Sequence, residues 1–332
     1  MLMNAARLIL IVGQKIIHRI GQWPSKIVHQ IYLRSHMAQR KEKDRLALMQ
    51  LHNQYLPKLE DEEIVLGQNL TEQGFCMTEC RLFDTFQDDN FAASAKHIYD
   101  VMEDHYIKTG ESIDIVKLLS ANPLLLGQFK TVFRAGLDTK LLRIIEHYLR
   151  FPVAYGGVDF FLTIADGSER GARTWHKDSE DNTMIKVAVY LNDVDDNGGP
   201  FEILQLQQDD PITRTARGFF HQDLVDLQDK NKIKFEILSF TGPSGAVIFC
   251  DTFKYFHRGK PAIGKNRRAL FFNYYTEMPL TPYFCPNPPF SSVEMENLVA
   301  DLSTKQKDAA LWREKLAGFD RFVTKTTPYL NS

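Results

Sequence analysis

The sequence predicts an α+β protein with a mainly β core, an antiparallel barrel or jelly roll, carrying helical additions at both ends. Three observations carry that expectation. β-Branched and aromatic runs start near Phe151-Pro152 and recur at Val158 to Ile164, Ile185 to Leu191, Ala246 to Phe249 and Ala269 to Tyr275. Turn signals separate them at Asp166-Gly167, Asp196-Asn197-Gly198-Gly199-Pro200, Gly242-Pro243-Ser244-Gly245 and Gly264. No helical pattern alternates with the runs, which argues against a parallel sheet built from crossover helices. The 332 residues are 44% hydrophobic and include 23 Phe, enough for a large core and unlike a disordered or low-complexity chain.

Residues 1–60 form a basic amphipathic N-terminal segment. The first 41 residues hold Arg7, Lys15, Arg19, Lys26, Arg34, Arg40 and Lys41 and no acid, so the formal charge of −2 hides an acidic body of about −9. Ile16, Ile20, Trp23, Ile27 and Ile31 recur at helical spacing around a break at Pro24. Such a segment fits a helix packed on the main domain, a helix on an anionic membrane surface, or an acid-free organellar transit peptide. The longest apolar run, Leu8 to Val12, falls far short of the ~20 residues that span a bilayer, and no small-residue cleavage site follows it. A cytoplasmic protein, peripheral at an anionic membrane surface, is the expectation.

Residues 61–150 are expected to be mainly helical and to pack on the core, with stripes at Ile98, Val101, Met102 and Tyr106 and at Leu141, Leu142, Ile145 and Leu149. Residues 151–280 form the β core. A Pro-rich stretch then leads into a C-terminal helical extension over 281–332, marked by Val293, Leu298, Leu302, Leu311, Trp312 and Leu316. Cys76, Cys80, Cys250 and Cys285 are too few and scattered for a disulfide framework, so a reducing compartment is expected. Cys76 and Cys80 could form half a metal site, but without a second pair they read as ordinary thiols.

The chemistry centres on Thr174-Trp175-His176-Lys177-Asp178 and, one distant strand later, Phe256-His257-Arg258-Gly259. In extended chain residues i and i+2 share a face, so His176 and Asp178 can both point into a barrel, where His257 joins them. Two imidazoles and one carboxylate leave the remaining metal positions open, the ligand set of non-heme Fe(II) oxygenases rather than the all-oxygen shell of Mg²⁺ or Ca²⁺. A second such triplet, His221-Gln222-Asp223, sits in a polar stretch, with too little chain before His257 for the intervening strands of a jelly roll; His221 reads as a loop or helix residue. Lys186 interrupts an apolar strand and needs a partner, either an anionic ligand or a nearby acid. Trp175 either walls the pocket or is core, and Asp251 shapes a turn.

Taken in order, Trp175 to Asp181, Lys186 to Val194, Asn197-Gly198-Gly199-Pro200-Phe201, Gly245 to Asp251, His257-Arg258-Gly259 and Arg267 resemble the phytanoyl-CoA dioxygenase-like family of Fe(II)/2-oxoglutarate oxygenases, over about residues 155–278. The resemblance implies a double-stranded β-helix, the cupin-like jelly roll, with Fe(II) on His176, Asp178 and His257. It also implies that a basic residue ten or eleven positions after the distal His holds the far carboxylate of 2-oxoglutarate. Arg267 is the first choice and Arg268 the alternative, because neighbours on a strand face opposite sides; Lys186 and Trp175 are further candidates for that pocket. The implied reaction couples O₂ and 2-oxoglutarate to hydroxylation of an unactivated C–H bond, and Asp178 disfavours halogenation, since related halogenases carry a small residue there. Two departures weaken any transfer of substrate: Glu202 to Gln208 stands where relatives carry a Pro-Gly-Ser-His-like stretch, and Gly259 where some carry Ser. The expected substrate is a small molecule or, given the basic N-terminus, a lipid-linked one such as a glycolipid sugar. The acidic body argues against nucleic acid. The alternative is a jelly-roll binding protein that keeps the metal ligands without catalysis.

Overall fold

The computed structural model describes residues 36–206, 218–230, 233–318 and 320–321. The amphipathic stretch from Ile16 to Ile31 lies outside the described residues. The chain divides after Leu51 into two compact units. The first contributes most of helix α1 (His36–His52), and the second carries everything that follows.

Among the described residues of the second unit, ten strands form two five-stranded antiparallel sheets. They are β1 (Phe75–Glu79), β2 (Val153–Thr163), β3 (Trp175–His176), β4 (Met184–Tyr190), β5 (Phe201–Leu206), β6 (Gly218–Phe219), β7 (Phe235–Phe240), β8 (Ala246–Cys250), β9 (Phe256–Gly259) and β10 (Arg267–Thr276). The first sheet runs β1-β8-β4-β10-β2 and the second β6-β3-β9-β5-β7. Strands alternate between the two from β2 to β5 and again from β7 to β10, which is the jelly-roll arrangement expected from the sequence.

Side-chain alternation sorts the strands into an inside and an outside. Ala188, Tyr190, Phe201, Ile203, Ile248 and Phe271 fill the space between the sheets. On the outer face of the first sheet, Val187, Val189, Leu270 and Phe272 pack under α2 (Asp61–Gln73), α3 (Asp89–Thr109), α4 (Ile115–Ala121), α5 (Leu126–Ala135) and α6 (Thr139–Leu149). Acids cap the starts of α3 and α6: Asp88 accepts from the Asn90 N–H, and Asp138 from those of Lys140 and Leu141. The outer face of the second sheet, with Trp175, Leu204 and Phe256, is covered by Leu224 of α7 (His221–Asp229) and by Ile233. After β10 come α8 (Ser292–Leu298) and α9 (Thr304–Ala310). Trp312 then donates its indole N–H to the Tyr155 carbonyl on β2 at 3.1 Å. Among the described residues no helix is long and apolar enough to cross a membrane.

A bulge in β2 decides what that strand shows the interior. Gly157 pairs with Asn273 but Tyr155 with Tyr274, leaving Gly156 as an extra residue. Before the bulge Val153 and Tyr155 face the helices; after it Val158 and Phe160 do. The switch in parity turns Asp159, Phe161 and Thr163 inward. Gly157 makes the bulge at φ 104°, a conformation that a side chain resists, and a Cβ there would also press Phe133. Gly157→Ala is therefore expected to lower unfolding stability by about 1–3 kcal/mol, measurable by urea denaturation.

One detail differs from the sequence reading. β1 lies inside the stretch expected to be mainly helical, where five residues at a sheet edge are too short to show a period. Only two strands, β7 and β8, lie between His221 and His257, against the five, β4 to β8, between His176 and His257. Cys76 lies in β1 and Cys80 in the 3₁₀ turn that follows, both free thiols that burial pushes up to about 12.

Candidate metal centre

His176 on β3 and His257 on β9 are direct partners across the second sheet, and their rings lie 4.3 Å apart. Alternation aims both inward while their neighbours Trp175, Phe256 and Arg258 point out. Asp178 follows two residues after His176, in a loop held at both ends: its N–H donates to the Thr252 carbonyl at 3.1 Å, and Asp181 accepts from the backbone and hydroxyl of Thr276. One ligand atom from each of His176, Asp178 and His257 lies within 4.8 Å of the other two, the one such group found among the described residues.

The imidazoles are prepared as ligands. Nδ1 of His176 meets the Thr174 carbonyl at 2.8 Å and Nδ1 of His257 the Tyr255 carbonyl at 3.3 Å. A carbonyl only accepts, so both protons sit on Nδ1 and both Nε2 lone pairs are left for a cation. Burial pushes His257 down to about 3 and lowers His176 as well, which keeps the rings in the neutral, ligating form at pH 7. Burial alone would raise Asp178, but the Lys186 ammonium, followed by His257 and His176, outweighs it and holds the carboxyl well below its ordinary range. Two neutral nitrogens and one anionic oxygen on one side of a cavity fit a divalent transition metal.

Lys186 resolves to an acid partner: its Nζ lies 2.9 Å from Asp178 Oδ2. That ammonium and a metal dication compete for one carboxylate. Lys186→Met should therefore tighten Co(II) binding about tenfold while lowering the melting temperature of the metal-free protein. A loss of 2-oxoglutarate affinity with unchanged Co(II) affinity would instead show that Lys186 holds the cosubstrate.

Arg267 and Arg268 part as alternation requires. Arg268 turns outward and pairs with Glu103 at 2.5 Å and Asp100 at 3.0 Å, both on α3, so the structure does not bring it to the pocket. Arg267 turns inward and is 3% exposed. Its Nη2 donates to Thr163 Oγ1 at 3.1 Å and its Nη1 to the Gly199 carbonyl, while Nε is without a partner. Among the described residues no carboxylate pairs with it. Any side chain at position 259 would strike the Arg267 guanidinium, which explains the glycine there. Arg267 and Thr163 line a cavity of about 370 Å³ with Phe161, Arg170, Ala172 and Arg173.

Trp175 is a correction. It is fully buried on the outer face of the second sheet, stacked under the Arg258 guanidinium at 4.5 Å, and cannot line the metal pocket that His176, one residue on, faces. Arg258 also forms a cross-strand ion pair with Glu202 at 2.8 Å. His221 opens α7, where its N–H donates to Glu169, and it takes no part in the metal group. Asp251 accepts from the Phe253 and Lys254 N–H groups, a turn as expected. The sequence reading missed Thr163, Asp159, Glu180, Asn273 and Tyr275 at the interior. For Asp159 and Asn273 the signal was the one that flagged Lys186, a lone polar residue in an apolar strand.

No family model and no curated protein matches the chain. Similar solved structures include AviO1 from Streptomyces viridochromogenes Tue57, at 13% identity and TM-score 0.44 over 66% of this chain and 96% of that one. EctD from S. alaskensis with bound Fe is 16% identical with TM-score 0.41, over 67% and 78%. HygX from Streptomyces hygroscopicus with nickel and 2-oxoglutarate bound is 12% identical with TM-score 0.38, over 66% and 88%. With TM-scores below 0.5, function has to be read from this chain's own side chains.

Proposed function

We propose that the protein is an Fe(II)/2-oxoglutarate-dependent dioxygenase that hydroxylates an unactivated C–H bond of a small-molecule or lipid-linked substrate. The observation that carries this reading is the inward-facing trio His176, Asp178 and His257, with both Nδ1 protons engaged by backbone carbonyls. Arg267 supports it: a buried guanidinium with an unpartnered Nε and no carboxylate is a site for an anion. The cavity it lines, about 370 Å³ and bordered by Arg170, Arg173 and Glu111, would admit a carboxylate group at the Arg267 end.

In this reading His176, Asp178 and His257 hold the metal, and Arg267 with Thr163 grips the far carboxylate of 2-oxoglutarate. When bound, Fe(II) with 2-oxoglutarate and O₂ supplies the oxidising chemistry, in which R–H, 2-oxoglutarate and O₂ become R–OH, succinate and CO₂. The chain's own work is to keep both imidazoles neutral, orient the Asp178 carboxylate and shield the centre from bulk water between two packed sheets. The test is succinate formation by iron-loaded protein supplied with 2-oxoglutarate and O₂. Succinate above that of Asp178→Ala supports the reading; metal binding with no excess succinate leaves a non-catalytic binding protein.

A peripheral membrane contact through residues 1–41 belongs to the same proposal and rests on their seven cations and absent acids. Full-length protein should sediment with anionic liposomes at low salt, and deletion of residues 1–41 should abolish sedimentation while leaving succinate formation intact. Unchanged sedimentation after the deletion would remove the membrane from the proposal.

A further inference from the structure

The outer face of the second sheet carries, one residue away from each histidine of the metal group, a row of side chains that the proposed reaction does not use. His176 and His257 stand opposite each other across β3 and β9. Beside them Arg258 stands opposite Glu202 of β5, Glu202 opposite Ser239 of β7, and Trp175 opposite Phe219 of β6. Neighbours on a strand face opposite sides, so the two imidazoles point in and this row points out.

Arg258 is bonded to almost everything around it. Its guanidinium lies over the Trp175 ring, 4.5 Å from the centroid, and its Nε donates to Glu202 Oε2 at 2.8 Å. The Ser239 hydroxyl fixes the other Glu202 oxygen at 2.7 Å. Nη1 of Arg258 reaches Glu169 at 3.3 Å, on the chain that leads into β3, and Glu169 also accepts from the His221 N–H at 2.8 Å. Arg258 is 4% exposed and Glu202 3%, so neither charge is left for solvent.

What the row does follows from how little else holds β3. That strand is two residues long, β6 on its far side is also two, and among the described residues the pair His176–His257 alone registers β3 against β9. The Trp175 indole N–H has no partner, so the ring is held by apolar packing against Leu204, Leu224 and Phe256 and by the guanidinium above it. A planar guanidinium can stack on a ring through its face while it pairs with carboxylates through its edge, which ties β3, β9 and β5 together at one side chain. The spacing of the two imidazoles, 4.3 Å between ring centres, depends on where β3 sits against β9.

We propose that Arg258 is a positioning residue for the metal centre: from the outer face of the sheet it clamps β3 to β9 through Trp175 and Glu202, and so holds His176 and His257 at the spacing a metal needs. The inference rests on the metal-centre part of the oxygenase reading and on nothing about substrate or cosubstrate.

The test uses the double variant Arg258→Met with Glu202→Gln, which removes the clamp without stranding a buried carboxylate. Its control is Arg143→Met with Glu63→Gln, which removes a buried ion pair between α6 and α2, with Nε to Oε2 at 3.0 Å, on the helical side of the first sheet. Co(II) titration of full-length protein should give a dissociation constant about tenfold or more higher for the clamp variant, with shifted Co(II) absorption bands. The control should stay within about twofold of wild type, with unchanged bands, even where its urea midpoint falls. Arg258→Lys keeps a cation beside Glu202 and decides the matter if the double variant does not fold; without the planar stack it should weaken Co(II) binding about threefold or more. Wild-type Co(II) affinity and bands in the clamp variants overturn the inference and leave the metal centre standing. An equal loss in the control also overturns it, because the effect would then be general destabilisation. Wild-type protein that binds no Co(II) removes the metal centre, and the inference with it.

Discussion

Replacing Asp178 by alanine should abolish succinate formation and weaken Fe(II) or Co(II) binding by at least about 100-fold. The carboxylate is the only anionic member of the trio, and the two imidazoles that remain are neutral. The same change should also be felt without metal. Lys186 lies 2.9 Å from that carboxylate in the barrel interior, and removing one partner of a buried ion pair costs about 3–5 kcal/mol. Glu180 and Asp159 also act on Lys186 and offset part of that cost, so the expected fall is toward the lower end. Metal titration and urea unfolding of the same variant separate the two effects. An Asp178→Ala protein that binds metal like wild type would remove the triad from the account.

Arg267→Leu should raise the dissociation constant for 2-oxoglutarate by about 100-fold, the loss of two charge-assisted hydrogen bonds, with metal affinity unchanged. Its stability signature is the opposite of that for Asp178. Arg267 is buried with an unpartnered Nε and no carboxylate, so its charge is a cost to the cosubstrate-free fold, and burial indeed pushes its pKa below the ordinary arginine value. Leucine at that position should leave unfolding stability equal or higher. Arg267→Lys should not restore cosubstrate binding, because a single ammonium cannot replace the planar two-pronged grip. A variant that is both strongly destabilised and normal in 2-oxoglutarate affinity would mean that Arg267 is a structural residue.

The sequence made the β core legible because its strands carry strong signals: apolar runs for β4, β8 and β10, interrupted only at Lys186 and Asn273 and bordered by Gly or Pro turns. It made His176, Asp178 and His257 legible because spacing of two residues on a strand is itself a statement about direction. β1 and β6 left no mark, since strands of two to five residues have no period to detect. The choice between Arg267 and Arg268 also could not be read from sequence. It depends on the parity of β10 against β2 and β4, and on Glu103 and Asp100, which a helix nearly 170 positions earlier brings to the outer face. The effect of the Gly156-Gly157 pair, turning Asp159 and Thr163 inward, appears only once the register with β10 is known. Trp175 failed as a pocket residue for the reason that His176 succeeded: adjacent residues on a strand face opposite sides.

The central claim is that one metal and one 2-oxoglutarate share the interior of this barrel on the four residues named. An experimental structure of the protein with Mn(II) and 2-oxoglutarate tests it most directly. The account predicts the metal on Nε2 of His176, the Asp178 carboxylate and Nε2 of His257, with the far carboxylate of 2-oxoglutarate on the Arg267 guanidinium. A metal held by other residues, or 2-oxoglutarate lying away from Arg267, would contradict it.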